Sequence, residues 1–119
     1  MEDNNKQLLE SLIQIASELQ RLEKVFNKAI GKLDFDEQNK YASQFSWFTK
    51  RVTKALEQAG LTRVSVENQI YDPGMAVTPL NLDDFETDET LIVDQMIEPI
   101  IMQGNYVVKT GTVTLRRAQ

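Results

Sequence analysis

The sequence predicts an α+β fold in which an N-terminal pair of antiparallel helices is followed by a small C-terminal β domain. Up to Ala59, apolar residues recur at alternating steps of three and four, which is the repeat of a helix face that packs on another helix. After Leu61 the repeat falls to two, as in a strand. We therefore place a helical region at residues 1–61 and a β domain at residues 62–119 of this 119-residue chain.

The first helix is expected from about Asn4 to Ile30, with Gly31 as a left-handed residue after its last turn. Its apolar seam occupies the a and d positions of a heptad repeat. The seam residues are Leu8, Leu12, Ile15, Leu19, Leu22, Phe26 and Ala29.

The second helix is expected to begin after a capping box made by Asp34 and Glu37 and to end at about Ala59, before Gly60. Because the link between the helices is short, they should be antiparallel neighbours. The second seam consists of Tyr41, Phe45, Phe48, Val52, Ala55 and Ala59.

The apolar stripe of the first helix is wider than one neighbouring helix covers, because Leu9, Ile13 and Val25 flank the seam. We expect a symmetric homodimer in which two helix pairs form a four-helix bundle with coiled-coil packing. The alternative is a monomer in which the β half covers the remaining stripe. The expected dimerisation residues are Leu12, Ile15, Leu19, Leu22, Phe26, Phe45, Phe48 and Val52.

The second half is expected to be a β unit of five or six short strands. Asp72-Pro73-Gly74 has the chemistry of a turn, and Pro79 indicates an edge strand because proline has no N–H to donate. Extended segments are predicted at residues 63–66, 76–82, 90–96, 106–109 and 112–115.

The excess negative charge lies entirely in the second half. Residues 1–61 carry nine basic and nine acidic side chains, whereas residues 62–119 carry four against nine, which gives −5. This balance disfavours nucleic-acid binding. Neither a membrane span nor a secretory signal is evident, so a cytoplasmic protein is expected.

The residue types that most often carry catalysis are absent from the sequence. There is no histidine and no cysteine, and no phosphate-cradling glycine loop is found. Five acidic side chains between Asp83 and Glu89 suggest calcium ligation, but the glycine of an EF-hand loop is missing, which favours a solvated loop. We expect no enzyme activity, no cofactor and no metal site.

Two features of the second helix each have two interpretations. Lys50, Arg51 and Lys54 form a basic patch that lies off the seam, which favours a solvated face over a binding site. Trp47 also lies off the seam, where it either packs under the β domain or contacts a partner.

The order and spacing of several motifs resemble the GrpE family, the nucleotide exchange factors of DnaK chaperones. Ala59-Gly60-Leu61 resembles the family's exit from the helices, and Tyr71-Asp72-Pro73 resembles its Phe-Asp-Pro turn. Ala76-Val77 matches the following Ala-Val, and residues 109–115 resemble its closing strand. The long N-terminal coiled coil of the family is not part of this sequence.

The resemblance implies a homodimeric co-chaperone that takes part in protein folding and the stress response. Its β domain would bind the nucleotide-binding domain of a DnaK-type chaperone and promote ADP release. The partner-binding residues implied by the resemblance are Tyr71, Asp72, Pro73, Met75, Ala76, Val77, Ile100 and Met102.

A diverged GrpE-like adaptor that binds another protein without exchange activity is the alternative function. Between Asp-Pro and Ala-Val only Gly74 and Met75 intervene, where the family has an additional His-Glu pair. Pro99 also replaces the family's usual glycine. Both departures lie in the domain that faces the chaperone.

Overall fold

Helix α1 (Glu2–Ile30) and helix α2 (Phe35–Gln58) open the chain in the computed structural model, which describes residues 2–118. The strands that follow confirm the α+β class predicted from the sequence. Contacts divide the chain into two units, Met1–Thr62 and Arg63–Gln119. The strands are β1 (Leu61–Val64), β2 (Val77–Pro79), β3 (Leu91–Glu98), β4 (Ile100–Gln103), β5 (Tyr106–Lys109) and β6 (Gly111–Arg117).

Helix α2 begins and ends at residues that the sequence marks. The Asp34 carboxylate accepts a hydrogen bond from the Glu37 N–H at 2.9 Å, so Asp34 is the N-cap, as predicted. Gly60, one residue beyond the C-cap, has φ 84°, a conformation that a residue without Cβ adopts at little cost. These two positions set the length of the helix.

The end of α1 differs from the prediction. Gly31 is not left-handed, so the capping role expected of it was wrong. The chain instead leaves α1 through two tighter turns, in which the Lys32 and Leu33 N–H groups donate to carbonyls three residues back at 3.1 and 3.0 Å. The Gln38 amide then donates to the Leu33 carbonyl at 2.9 Å. A side chain of α2 thus satisfies a backbone carbonyl in the link between the two helices.

The β strands form two three-stranded sheets, in the orders β1-β4-β5 and β2-β6-β3. In the second sheet, β6 is central: it pairs in parallel with β2 and antiparallel with β3. Pro79 ends β2 at the edge of this sheet, as predicted. The edge continues through Asn81, whose side-chain amide donates to the Leu115 carbonyl at 2.9 Å and accepts from the Leu115 N–H at 2.8 Å.

The core of the second unit lies against the β3–β6 pair. Gly111 begins β6 at a place where no side chain fits: a Cβ there would lie 2.9 Å from the Glu98 carbonyl oxygen and 3.0 Å from the Met96 methyl carbon. The buried core residues are Leu91, Val93, Met96, Ile100, Val113 and Leu115.

Several strand boundaries differ from the sequence prediction. The first strand begins at Leu61, two residues before its predicted start. Strand β3 runs on to Glu98 across two bulges, and the Met96 N–H donates to the Glu67 carboxylate at 2.9 Å. Strand β4 was missed because Pro99 interrupts the apolar run in the sequence, whereas in the fold it separates two strands.

Candidate functional site

The helical unit leaves an apolar row of α1 uncovered. Ile15 and Leu22 are 53% and 46% exposed, and Phe48 of α2 beside them is 44% exposed. Leu19, between the first two in sequence, is buried, and Leu12 and Phe26 are half-buried. One row of the predicted seam is therefore used within the chain and the other faces outward.

Between the uncovered row and α2 lies a groove of about 720 Å³. Phe26 and Phe45 stack at 4.3 Å and hold the two helices together at one end of the hairpin. Phe45 and Val52, both predicted dimerisation residues, are half-buried. The apolar side chains that line the groove are Ile15, Leu19, Leu22, Val25, Phe48 and Val52.

The features of α2 that lie off the seam are solvent-facing. Lys50, Arg51 and Lys54 are exposed. Trp47 is also exposed, and the Arg51 guanidinium lies over its ring at 4.7 Å. Within residues 2–118, neither helix is long and apolar enough to cross a membrane.

In the second unit, the predicted partner-binding residues fall into three groups by exposure. Asp72 and Pro73 are exposed, and the turn they form is closed by a Met75 N–H bond to the Asp72 carbonyl at 2.9 Å. Ile100 is 5% exposed within the core, which limits it to supporting the surface from beneath. The others are half-buried and pack against the core: Tyr71, Met75, Ala76, Val77 and Met102.

The acidic loop, residues 83–89, is bound to the end of β6 by a salt bridge. The Arg117 guanidinium contacts the Glu89 carboxylate at 2.8 Å and lies 5.1 Å from the centre of the Phe85 ring. The second Glu89 oxygen accepts the Glu86 N–H at 3.1 Å. The hydrogen bond from Arg117 lowers the pKa of Glu89, and the same bond raises the pKa of Arg117. The loop is thus held as an ordered wall.

A second groove, of about 640 Å³, lies beside this wall. Tyr71, Pro73 and the start of β3 at Leu91 line it, and the Tyr71 N–H donates to the Leu91 carbonyl at 2.8 Å. The loop also contributes to the lining, through Asp83 and Phe85 among others. Sequence reasoning found the turn and the acidic loop but missed the groove, because Arg117 is far from both in the chain and no local pattern marks the pairing.

Among residues 2–118, no three acidic side chains are placed to hold a metal ion together. The chemistry these surfaces offer is apolar contact in both grooves and negative charge along one wall of the second. Such surfaces suit the binding of protein segments. No family model, no curated protein and no solved structure matches the chain.

Proposed function

We propose that this chain is a dimeric, GrpE-like co-chaperone of the cytoplasm that promotes ADP release from a DnaK-type chaperone. The helices hold two copies together, and each β unit binds the nucleotide-binding domain of the chaperone. The observation that carries the dimer is the uncovered apolar row of α1. The resemblance of the motifs from Tyr71 to Val77 supports the choice of partner.

A second copy is the occupant that best fits the groove of the helical unit. Both the covered and the uncovered row of α1 keep the heptad spacing. The uncovered face of one helix pair therefore has the pattern needed to pack against the same face of a second copy. A face two helices wide, each about 10 Å across and about 35 to 40 Å long, offers on the order of 700 Å² per copy. Stable interfaces bury about 800 Å² per partner, which is the same scale.

The proposed mechanism requires binding energy rather than a reactive side chain. A partner that binds the open nucleotide cleft more tightly than the closed one shifts the population towards the open state, and ADP leaves faster from it. Asp72 and Pro73 are suited to such a contact because they are exposed and held in a closed turn. The Asp72 carboxylate also accepts the Gly74 N–H at 3.0 Å, which stiffens that turn.

Release of fluorescent ADP from the chaperone of the same organism tests the proposal. We expect the dissociation rate to rise with the concentration of this protein and then to saturate. Replacing Pro73 and Met75 with serine should weaken the effect, whereas Asp36→Asn, on the exposed first turn of α2, should leave it unchanged. An unaltered rate at saturating protein contradicts the exchange function.

A second candidate is a diverged adaptor that binds another protein through the same β unit. The short Asp72–Met75 turn and the buried Pro99 favour it, because both alter the surface and core that the GrpE family uses. Capture of a defined partner other than the chaperone, together with an unaltered ADP release rate, would support the adaptor. Capture that is lost on Pro73 substitution would place the contact on this turn.

A further inference from the structure

The charges of the second unit are distributed unevenly. Lys109 lies 3.3 Å from the Glu98 carboxylate, and Arg116 lies 3.1 Å from the Asp94 carboxylate. Arg117 is held by Glu89, as described above. Most of the positive charge in this unit is therefore already matched by a carboxylate of the same unit.

The acidic side chains outside these pairs are not spread over the surface. Glu67 and Asp72 accept backbone N–H groups. The remaining four side chains form no salt bridge within residues 2–118, and all lie in one short stretch of the loop. They are Asp83, Asp84, Glu86 and Asp88.

These carboxylates, of which Glu86 also interacts through space with Arg117, border an apolar surface. Asp83 and Glu86 line the groove of about 640 Å³, together with Ile70 and Leu82, which are 66% and 43% exposed. The volume is in the range of about 300 to 1,000 Å³ typical of binding pockets. Exposed aliphatic side chains next to unmatched carboxylates favour a ligand that carries apolar and cationic groups side by side.

We propose that this groove binds an extended protein segment in which lysine or arginine alternates with apolar side chains. The apolar side chains contact Ile70 and Leu82, and the cations lie at the Asp83 and Glu86 carboxylates. Nucleic acids and anionic lipid surfaces are repelled by the same wall, which selects a basic polypeptide over them. Binding in this groove goes beyond the exchange function, and the groove shares Tyr71 and Pro73 with the proposed chaperone contact.

Fluorescence anisotropy with the full chain tests the inference. The probe is a short fluorescein-labelled peptide in which leucine alternates with arginine. We expect saturable binding that weakens at least about tenfold when the arginines are replaced by glutamate, because the charges then repel. A comparable loss is expected when the leucines are replaced by serine. Equal binding of all three peptides overturns the proposal.

Two matched double variants locate the site. Asp83→Asn with Glu86→Gln removes two charges that line the groove, and the peptide should bind about tenfold more weakly, since each exposed pair is modest and two are lost. Asp84→Asn with Asp88→Asn removes the same charge from the loop outside the lining, and we expect a change of less than about threefold because neither carboxylate lines the groove. Equal effects of the two variants overturn the groove assignment.

An Ile70→Ser variant tests the apolar half of the site, and the side chain is already exposed, so the fold should tolerate it. We expect weaker peptide binding. If Asp83→Asn with Glu86→Gln lowers the thermal transition temperature, peptide binding to the wild-type chain is measured at increasing salt concentration instead. Binding that does not weaken with salt overturns the proposed role of the carboxylates. If the wild-type chain binds the peptide but does not accelerate ADP release, the proposed function alone is contradicted.

Discussion

Replacing Ile15 and Leu22 with serine should dissociate the proposed dimer while leaving each chain folded. Both side chains are about half exposed in the single chain, so their removal creates no cavity in the hairpin. Serine costs only a few tenths of a kcal/mol more than the original residues as a helix former. The change therefore acts mainly on the interface between copies.

The magnitude follows from the exposed area. Full burial of an isoleucine or leucine contributes about 1.5 to 3 kcal/mol, so the half that remains exposed offers about 1 kcal/mol in the dimer. Twofold symmetry applies each change to both copies, which gives a loss of about 4 kcal/mol for the two positions. At about 1.4 kcal/mol for each factor of ten, the dissociation constant should rise by roughly a thousandfold.

Sedimentation velocity over a range of concentrations measures this shift. Phe35→Ser is the matched control, because Phe35 is 74% exposed on the helical unit but does not line the groove. Far-ultraviolet circular dichroism confirms that both variants remain helical. A wild-type chain that is monomeric at all concentrations, or a double variant that dimerises as tightly as the wild type, refutes the reasoning.

Three further predictions concern the β unit. Gly111→Ala should lower the free energy of unfolding, measured by calorimetry, by about 1 to 3 kcal/mol, because the new Cβ would lie 2.9 Å from the backbone oxygen of Glu98. Gly74→Ala is the control: a Cβ at Gly74 would have its nearest neighbour at 3.6 Å, so this change should be tolerated. Asn81→Ala should lower the free energy of unfolding in urea by about 1 to 3 kcal/mol, because the N–H and carbonyl of Leu115 lose their hydrogen-bond partner. An effect no larger than that of Asn105→Ala, at an exposed position, would contradict this. NMR titration should show a Glu89 pKa below the ordinary range, so its contribution to stability is present above that range and lost as pH falls through the lowered pKa. Arg117→Gln should reduce the shift, because the hydrogen bond from Arg117 is its largest cause, and an unchanged Glu89 titration would contradict this.

The helical half was predictable because its determinants are local. The repeat of apolar residues gave both helices, and Asp34 and Gly60 gave the two ends of α2. The failure at Gly31 is also physical. A glycine after a helix permits the left-handed conformation but does not impose it, and the Lys32 and Leu33 N–H groups bond carbonyls of the last turn instead.

The β half was predictable only where one strand could be identified without its neighbours. Strand β5 was found at its observed bounds, whereas β4 was hidden by Pro99, which looks like a strand breaker in isolation. The fastening of the acidic loop depends on Arg117, far along the chain from Phe85 and Glu89. Pairings at such separations leave no periodic signal, so the second groove was not foreseeable.

Asn81 has a consequence for how the protein behaves when it is crowded. Strand β2 covers β6 only as far as Val113, so the backbone of Leu115 would otherwise be open to a strand from another molecule. The Asn81 side-chain amide hydrogen-bonds to both the N–H and the carbonyl of Leu115, and a side chain cannot pair with a further strand. A short edge that ends in this way protects the sheet from polymerising into fibres at high protein concentration.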